Sequence, residues 1–260
     1  MRIHSNQLSR AAAALFIAST ILAGAALAQR GAPAYRAPRT IDGQPDLQGI
    51  WQTMSSANFN IQDHSASLGI PAGMSIVEGN ELPYLPEAFT RKQANYRERF
   101  RSDPESKCFM VGTPRIMYMP FPLQIVQTKD QINIISEYVH TPRTIRFNSE
   151  HPEGPEWIMG DSRAHWDGDT LVVDVANFTD GNWLDRAGNF TSNALHIVER
   201  YTRIGPDHLR YEATIEDPNV FSQPWSMSFV LYRHVETDAQ LLEYECQAYL
   251  TAEHDKNDTQ

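Results

Sequence analysis

Residues 159–183, MGDSRAHWDGDTLVVDVANFTDGNW, decide the fold. At their centre, Trp166-Asp167-Gly168-Asp169-Thr170 sets Asp-Gly between two strand-like arms. A two-residue primed turn needs positive φ, which this pair tolerates, so the stretch is a β-hairpin. Its second arm, Leu171-Val172-Val173-Asp174-Val175, is β-branched. The loop beyond gathers Asp180, Trp183 and Asp185, with an Asx-type turn at Asp180-Gly181-Asn182.

Working outward, strand-like windows fall at 123–128, 132–139, 144–148, 163–166, 170–176, 195–203, 209–216, 225–235 and 241–248. Lys129-Asp130-Gln131, Gly205-Pro206-Asp207 and Glu236-Thr237-Asp238 separate some of them as turns. Even spacing and short connections predict a mainly β chain, an antiparallel meander closed into a barrel or folded as a strongly curved sandwich of the calycin/lipocalin kind. A parallel α/β fold would need more helices than the sequence offers. The faces agree. In 208–216, Leu209, Tyr211, Ala213 and Ile215 share one side, and Arg210, Glu212, Thr214 and Glu216 the other. In 225–233, Trp225, Met227, Phe229 and Leu231 are apolar, while Ser226, Ser228, Val230 and Tyr232 make a second, semi-buried face.

Upstream, Ile50-Trp51-Gln52 ends a short strand. Residues 54–85 hold no period and are punctuated by Gly69, Pro71, Gly73, Gly79 and Pro83. Loops of that length are usually lids, binding loops or disordered, and this one is expected to wrap the barrel or cover an opening. An amphipathic helix is expected over 86–102, with Pro86-Glu87 at its start and Phe89, Tyr96 and Phe100 on one stripe. Its basic residues read as a solvated surface. Residues 41–250 form one domain.

Residues 1–28 read as a secretory signal: basic Arg2 and Arg10, an apolar run from Ala11 to Ala25, and Ala26-Leu27-Ala28 before the cut. Residues 29–40 read as a flexible tether and 251–260 as a disordered tail. No later segment approaches the roughly 18 apolar residues of a membrane span, so no membrane insertion is expected. With 22 basic and 32 acidic residues the net charge is −10, and losing Arg2 and Arg10 makes it more acidic. Such a surface repels phosphate, which argues against nucleic-acid partners. In an oxidising compartment the isolated pair Cys108 and Cys246 reads as one disulfide.

Three acids sit in apolar strand registers: Asp174 with Val172 and Ala176, Glu199 with Ile197 and Tyr201, and Glu137 with Ile135 and Val139. A charge on such a face must be paired, hydrogen-bonded or turned to a cavity. A lumen lined by aromatics and a few charges is therefore expected, with His140, Arg143, His165, Asp174 and Glu199 as acid–base candidates. Tyr138, Trp166, Trp183, Asp185, Tyr201 and Trp225 are the substrate-binding candidates, and a hydrophobic or aromatic small molecule the expected guest. The plainer alternative pairs these acids with Arg143, Arg163, Arg186 or Arg200. His165, Asp167 and Asp169 alternate as metal ligands could, but the hairpin turn claims Asp167-Gly168, and Asp180, Asn182 and Asp185 miss the calcium-loop spacing. No metal is expected. Gly-x-Ser-x-Gly, Gly-rich phosphate loops and dinucleotide fingerprints are missing from the sequence, so no cofactor is expected either.

Taken as a set, Pro45-Asp46-Leu47-Gln48-Gly49-Ile50-Trp51, Cys108-Phe109, Gly112-Thr113-Pro114-Arg115, Gly160-Asp161-Ser162-Arg163, Trp166 to Asp174 and Leu242-Glu243-Tyr244-Glu245-Cys246 resemble a large family of exported bacterial proteins of uncharacterised function. The resemblance implies export and one folded unit, and carries no catalytic role. The residues themselves suggest a periplasmic or secreted, cofactor-independent isomerase, lyase or hydrolase working by acid–base catalysis in a β-barrel pocket. The alternatives are a non-catalytic carrier or sensor of the lipocalin kind and an envelope interaction protein using its 54–85 loop.

Overall fold

The computed structural model describes residues 35–247. The expected signal, residues 29–34 of the tether and the 251–260 tail lie outside them. Nine strands form a closed barrel in chain order: β1 (Gly49–Thr53), β2 (Leu123–Gln127), β3 (Gln131–Ser136), β4 (Pro142–Phe147), β5 (Asp161–Asp167), β6 (Thr170–Ala176), β7 (His196–Gly205), β8 (His208–Glu216) and β9 (Trp225–Arg233). β1 pairs with β9 through Trp51↔Arg233 and Thr53↔Leu231, so the sheet has no free edge.

Nine is odd, and a ring of antiparallel neighbours needs an even number. One pair must therefore run parallel, and it is β4–β5, with Ile145↔Ser162 and Phe147↔Ala164 in register. The meander is antiparallel everywhere else. Parallel neighbours need a long crossover, supplied by residues 148–160, which carry His151 back along the barrel.

Period-2 alternation sorts each strand. β7 turns Ile197, Glu199, Tyr201 and Arg203 inward, where they meet Tyr211, Ala213 and Ile215 of β8 and Leu171, Val173 and Val175 of β6. The hairpin of 159–183 is present, but Asp167 pairs with Thr170, so its loop is Gly168-Asp169 rather than Asp167-Gly168. Gly168 has φ +60 and Asp169 is not left-handed, the pattern of a II′ turn.

The strand expected at 241–248 is not formed over its described residues; β1 already occupies the position beside β9. That segment packs instead across the turn after β3. Tyr244 stacks near Phe121 (4.6 Å) and Tyr138 (5.9 Å), the backbone of Leu242 donates to Glu137 at 2.8 Å, and Cys246 is bonded to Cys108. Closing a loop of 138 residues stabilises by about 5 kcal/mol on chain-entropy grounds. The end of the expected tether is also docked: the Asp46 backbone donates to the Pro38 carbonyl at 2.8 Å and Arg39 pairs with Asp169 at 2.5 Å.

The helix expected over 86–102 divides at Glu98 into α1 (Pro86–Arg97) and α2 (Arg99–Ser102). α1 buries only Ala88 and leaves Phe89 and Tyr96 half exposed. It docks backbone to backbone on Gly188, where an added Cβ would lie 2.7 Å from the Tyr96 nitrogen and 2.8 Å from the Lys92 oxygen. Among the described residues no helix is long and apolar enough to cross a membrane. The 54–85 stretch runs along β9 through a Val77↔Met227 bridge and a Ser228-to-Ile76 hydrogen bond of 2.8 Å. Ahead of these anchors it throws out a small hairpin, with His64↔Gly73 and Ser67↔Ile70 bridged.

Candidate functional site

The barrel interior holds a polar network centred on Glu199. Arg143 of β4 grips Glu199 of β7 with two nitrogens, at 3.0 and 2.5 Å, and donates to Ser162 twice at 3.0 Å. Tyr211 and Tyr201 donate to the same Glu199 oxygen at 2.8 and 3.2 Å. Glu199 is fully buried. Burial, then the Glu199 charge, pushes both phenols well above their usual range, so they stay protonated donors. Burial works against the Arg143 charge, but Glu199 outweighs it and holds the guanidinium above its usual range. With its carboxylate saturated and aromatics packed around it, this network fills the barrel; rings of about eight strands are just wide enough for their own side chains.

Asp174 belongs to a different surface. It lies opposite Arg163 and Val198, facing out of the barrel, where His151 Nε2 meets it at 2.8 Å and His196 Nε2 at 3.0 Å. His151 Nδ1 reaches Asp161 at 2.7 Å, and Arg163 clamps Asp161 at 2.5 and 2.9 Å. Asp174 and Glu199 thus sit on opposite faces of the wall and share no cavity. His165 is exposed on the outer face of β5, and His140 is exposed 3.6 Å from Glu245. The alternating Asp167 and Asp169 are spent on arginines, Asp167 on Arg200 at 2.8 Å and Asp169 on Arg39.

Of the binding candidates, Tyr201 is in the barrel network. Trp225 is buried edge-on to Phe221 at 5.5 Å, Trp183 is buried beside Phe190, and Trp166 stacks on Phe147 at 6.3 Å over a small hollow of about 140 Å³. Asp185 is fully buried, accepting from the backbone of Ile61 (2.9 Å), Ala187 (2.9 Å) and Asn189 (3.1 Å) and from the Asn189 amide (2.6 Å). Burial pushes its carboxyl up to about 6 against the pull of those donors.

Only Tyr138 lines the large cleft, a space of about 710 Å³ outside the strands. Its floor, which includes Asp103 and Glu105, rests on Arg115, fully buried in the run 111–119, every residue of which is buried. Arg115 forks onto Asp103 at 2.7 and 3.0 Å, reaches Glu105 at 2.6 Å and donates to Asn58 at 2.8 Å. Asp103 also caps the turn Pro104–Lys107, accepting from the Glu105 nitrogen at 2.9 Å. Arg186 holds Glu105 from the other side at 2.8 and 2.6 Å, and Asn58 donates to both its oxygens at 3.1 Å. Burial alone would raise Glu105, but Arg186 and Arg115 outweigh it and keep the carboxyl below its ordinary value. The Tyr138 phenol, raised mainly by burial, donates to the Phe109 carbonyl at 3.1 Å.

The walls are aromatic and apolar. Arg186 covers Phe59 (4.7 Å to the ring centre), and Arg99 covers Tyr96 (4.1 Å) and Phe100 (4.4 Å). The 64–73 hairpin overhangs with Leu68 and Ile70. Sequence reasoning missed Arg99, Asp103, Glu105, Arg115 and Arg186 as a group. Two signals bore on them: Gly112-Thr113-Pro114-Arg115 among the family-like motifs, and the aromatic spacing of 89–100, read as the buried side of a solvated helix. No family model matches the chain, and a search of curated proteins finds no match.

Proposed function

We propose that the protein is an exported binding protein for a hydrophobic or aromatic small molecule, held in the cleft between the 64–73 hairpin and the α1–α2 break. The observation that carries this is the cleft's make-up: aromatic and aliphatic walls over a floor whose charges are already matched. Pockets of a few hundred Å³ with apolar linings and few convergent polar groups are the usual form of small-molecule sites. Export rests on the signal-like 1–28 sequence and agrees with the Cys108–Cys246 disulfide, which is chemistry of oxidising compartments.

Carriage is favoured over acid–base catalysis by the state of the floor. Glu105 accepts five hydrogen bonds from Arg115, Arg186 and Asn58 and is held below its ordinary range, so it is a poor base. One observation supports catalysis as a second reading. His64, on the cleft lining, has Nδ1 2.9 Å from the Gln62 carbonyl and Nε2 3.5 Å from Ser56 Oγ, the arrangement of a base oriented by a third group.

The test is incubation of purified protein with plant-derived aromatics, steroids and lactones, followed by native and solution mass spectrometry. Wild type should retain a compound that the cleft-filling Ser67→Trp variant, equally folded by circular dichroism, does not. Recovery of that compound unchanged supports a carrier, and a changed mass supports an enzyme. Equal retention by both proteins would place binding elsewhere and sink the proposal.

A further inference from the structure

The charges of the cleft do not all cancel. Asp103 and Glu105 are matched by Arg115 and Arg186, which leaves Arg99 on the wall as a half-buried guanidinium. One of its nitrogens donates to the Tyr96 carbonyl at 2.7 Å, and among the described residues no carboxylate pairs with it. This occurs in a chain with 32 acidic and 22 basic residues, where the cleft's other arginine, Arg186, and Arg115 beneath it have each found an acid. The Arg99 guanidinium carbon lies 4.1 Å from the Tyr96 ring centre and 4.4 Å from that of Phe100, at the point where the helix breaks at Glu98. A guanidinium packed against aromatic faces still has N–H groups that can meet a carboxylate with two parallel hydrogen bonds.

We propose that Arg99 is the anion receptor of the cleft, and that the ligand is an aromatic carboxylate whose ring body lies among Phe59, Leu68, Ile70 and Phe100. This rests on the cleft being the binding site and adds the ligand's charge and its polar end. A cation is disfavoured because, among the described residues, the acids of the cleft lining, Asp103 and Glu105, are already paired with arginines. A neutral ring would leave the guanidinium's donors to water. A carboxylate uses them in a partly dehydrated setting, where charge-assisted hydrogen bonds are stronger than neutral ones.

The test uses fluorescent probes that differ only at the polar end: pyrenebutyrate, its methyl ester and pyrenebutylamine, with decanoate as a ringless acid. Titrations monitor probe emission, or displacement of pyrenebutyrate for decanoate, with wild type, Arg99→Met and Arg99→Lys. Wild type should bind the acid about tenfold more tightly than the ester, and the amine more weakly still. Arg99→Met should bring acid and ester together, while Arg99→Lys restores part of the preference. Added salt should weaken the acid and leave the ester unchanged.

Equal binding of acid and ester by wild type would overturn the receptor role while leaving the cleft as the binding site. An Arg99→Met variant that keeps the preference would overturn that role equally. Decanoate binding as tightly as pyrenebutyrate would overturn the aromatic requirement. If no probe binds, the cleft itself fails as a site, and the receptor with it. Unchanged circular dichroism of both variants separates all of these results from misfolding.

Discussion

The barrel interior and the cleft floor are built from the same parts, arginine clamped on carboxylate, and differ in what lies on the far side. Around Glu199, Arg143, Ser162, Tyr201 and Tyr211 complete one another, and all five side chains are buried inside the ring of strands. Around Glu105, Arg115 is buried like Arg143, but Arg186 stands 44 % exposed and opens onto the cleft. A sealed pair orders the core. A pair with one open side can hold up a binding surface without being consumed by it.

The largest effect should come from breaking the sealed pair. Glu199→Ala leaves Arg143 charged with no water to receive it and should cost about 3–5 kcal/mol in denaturant unfolding. Arg143→Met with Glu199→Leu removes both charges and should cost much less than the single change, because no orphan remains. If the double variant proves the less stable, the network has a role beyond neutralising itself. A loss below about 1 kcal/mol for Glu199→Ala would mean that water reaches the interior, and the contrast with the cleft would disappear.

That contrast also explains what the sequence made legible. Period-2 alternation marks a strand face whatever lies beyond it, so Leu209 to Ile215 and Trp225 to Leu231 were visible as inward rows, and Glu199 as an inward charge. Asp174 obeyed the same parity but faced outward, because its neighbour Val172 is buried on the outer side of the wall. Residues 241–247 are strand-like in sequence, but the position beside β9 is taken by β1. The cleft had no such periodicity. Phe59, Arg99, Glu105, Tyr138, Arg186 and Tyr244 come from six separate segments, none of them a strand. Their convergence depends on how loops dock, as when α1 settles onto Gly188, and spacing along the chain does not encode that.

An intermediate effect should appear in pH dependence, again on the cleft side. Asp185 anchors the loop bearing Arg186 by accepting from its backbone, and burial raises its carboxyl from an ordinary value near 3.8 to about 6. A raised acid binds its proton more tightly folded than unfolded. Its contribution is full below pH 4 and is lost as pH rises through about 6, on the order of 2–3 kcal/mol. Glu105 is lowered from 4.5, so its contribution has the opposite sign, present above that value and lost as pH falls. Unfolding midpoints should therefore be highest at about pH 4 to 4.5 and fall towards pH 6. Asp185→Asn should flatten the neutral branch and Glu105→Gln the acid branch. A wild-type stability that does not fall between about pH 4 and 6 would show that the four N–H donors to Asp185 outweigh its burial.

The smallest effect tests the open side directly. Arg186→Ala removes a guanidinium that is nearly half exposed, and Glu105 keeps Arg115 and both Asn58 contacts, so no charge is stranded. Exposed pairs of this kind are worth about 0–1 kcal/mol, which for a domain of this size is a shift of only about 2–4 °C in Tm. Ligand retention should fall far more than stability, since the change uncovers Phe59 and lowers one cleft wall. A large drop in Tm with retention intact would reverse the assignment: Arg186 would then be a strut like Arg143, and the cleft floor a second core rather than a surface kept for a guest.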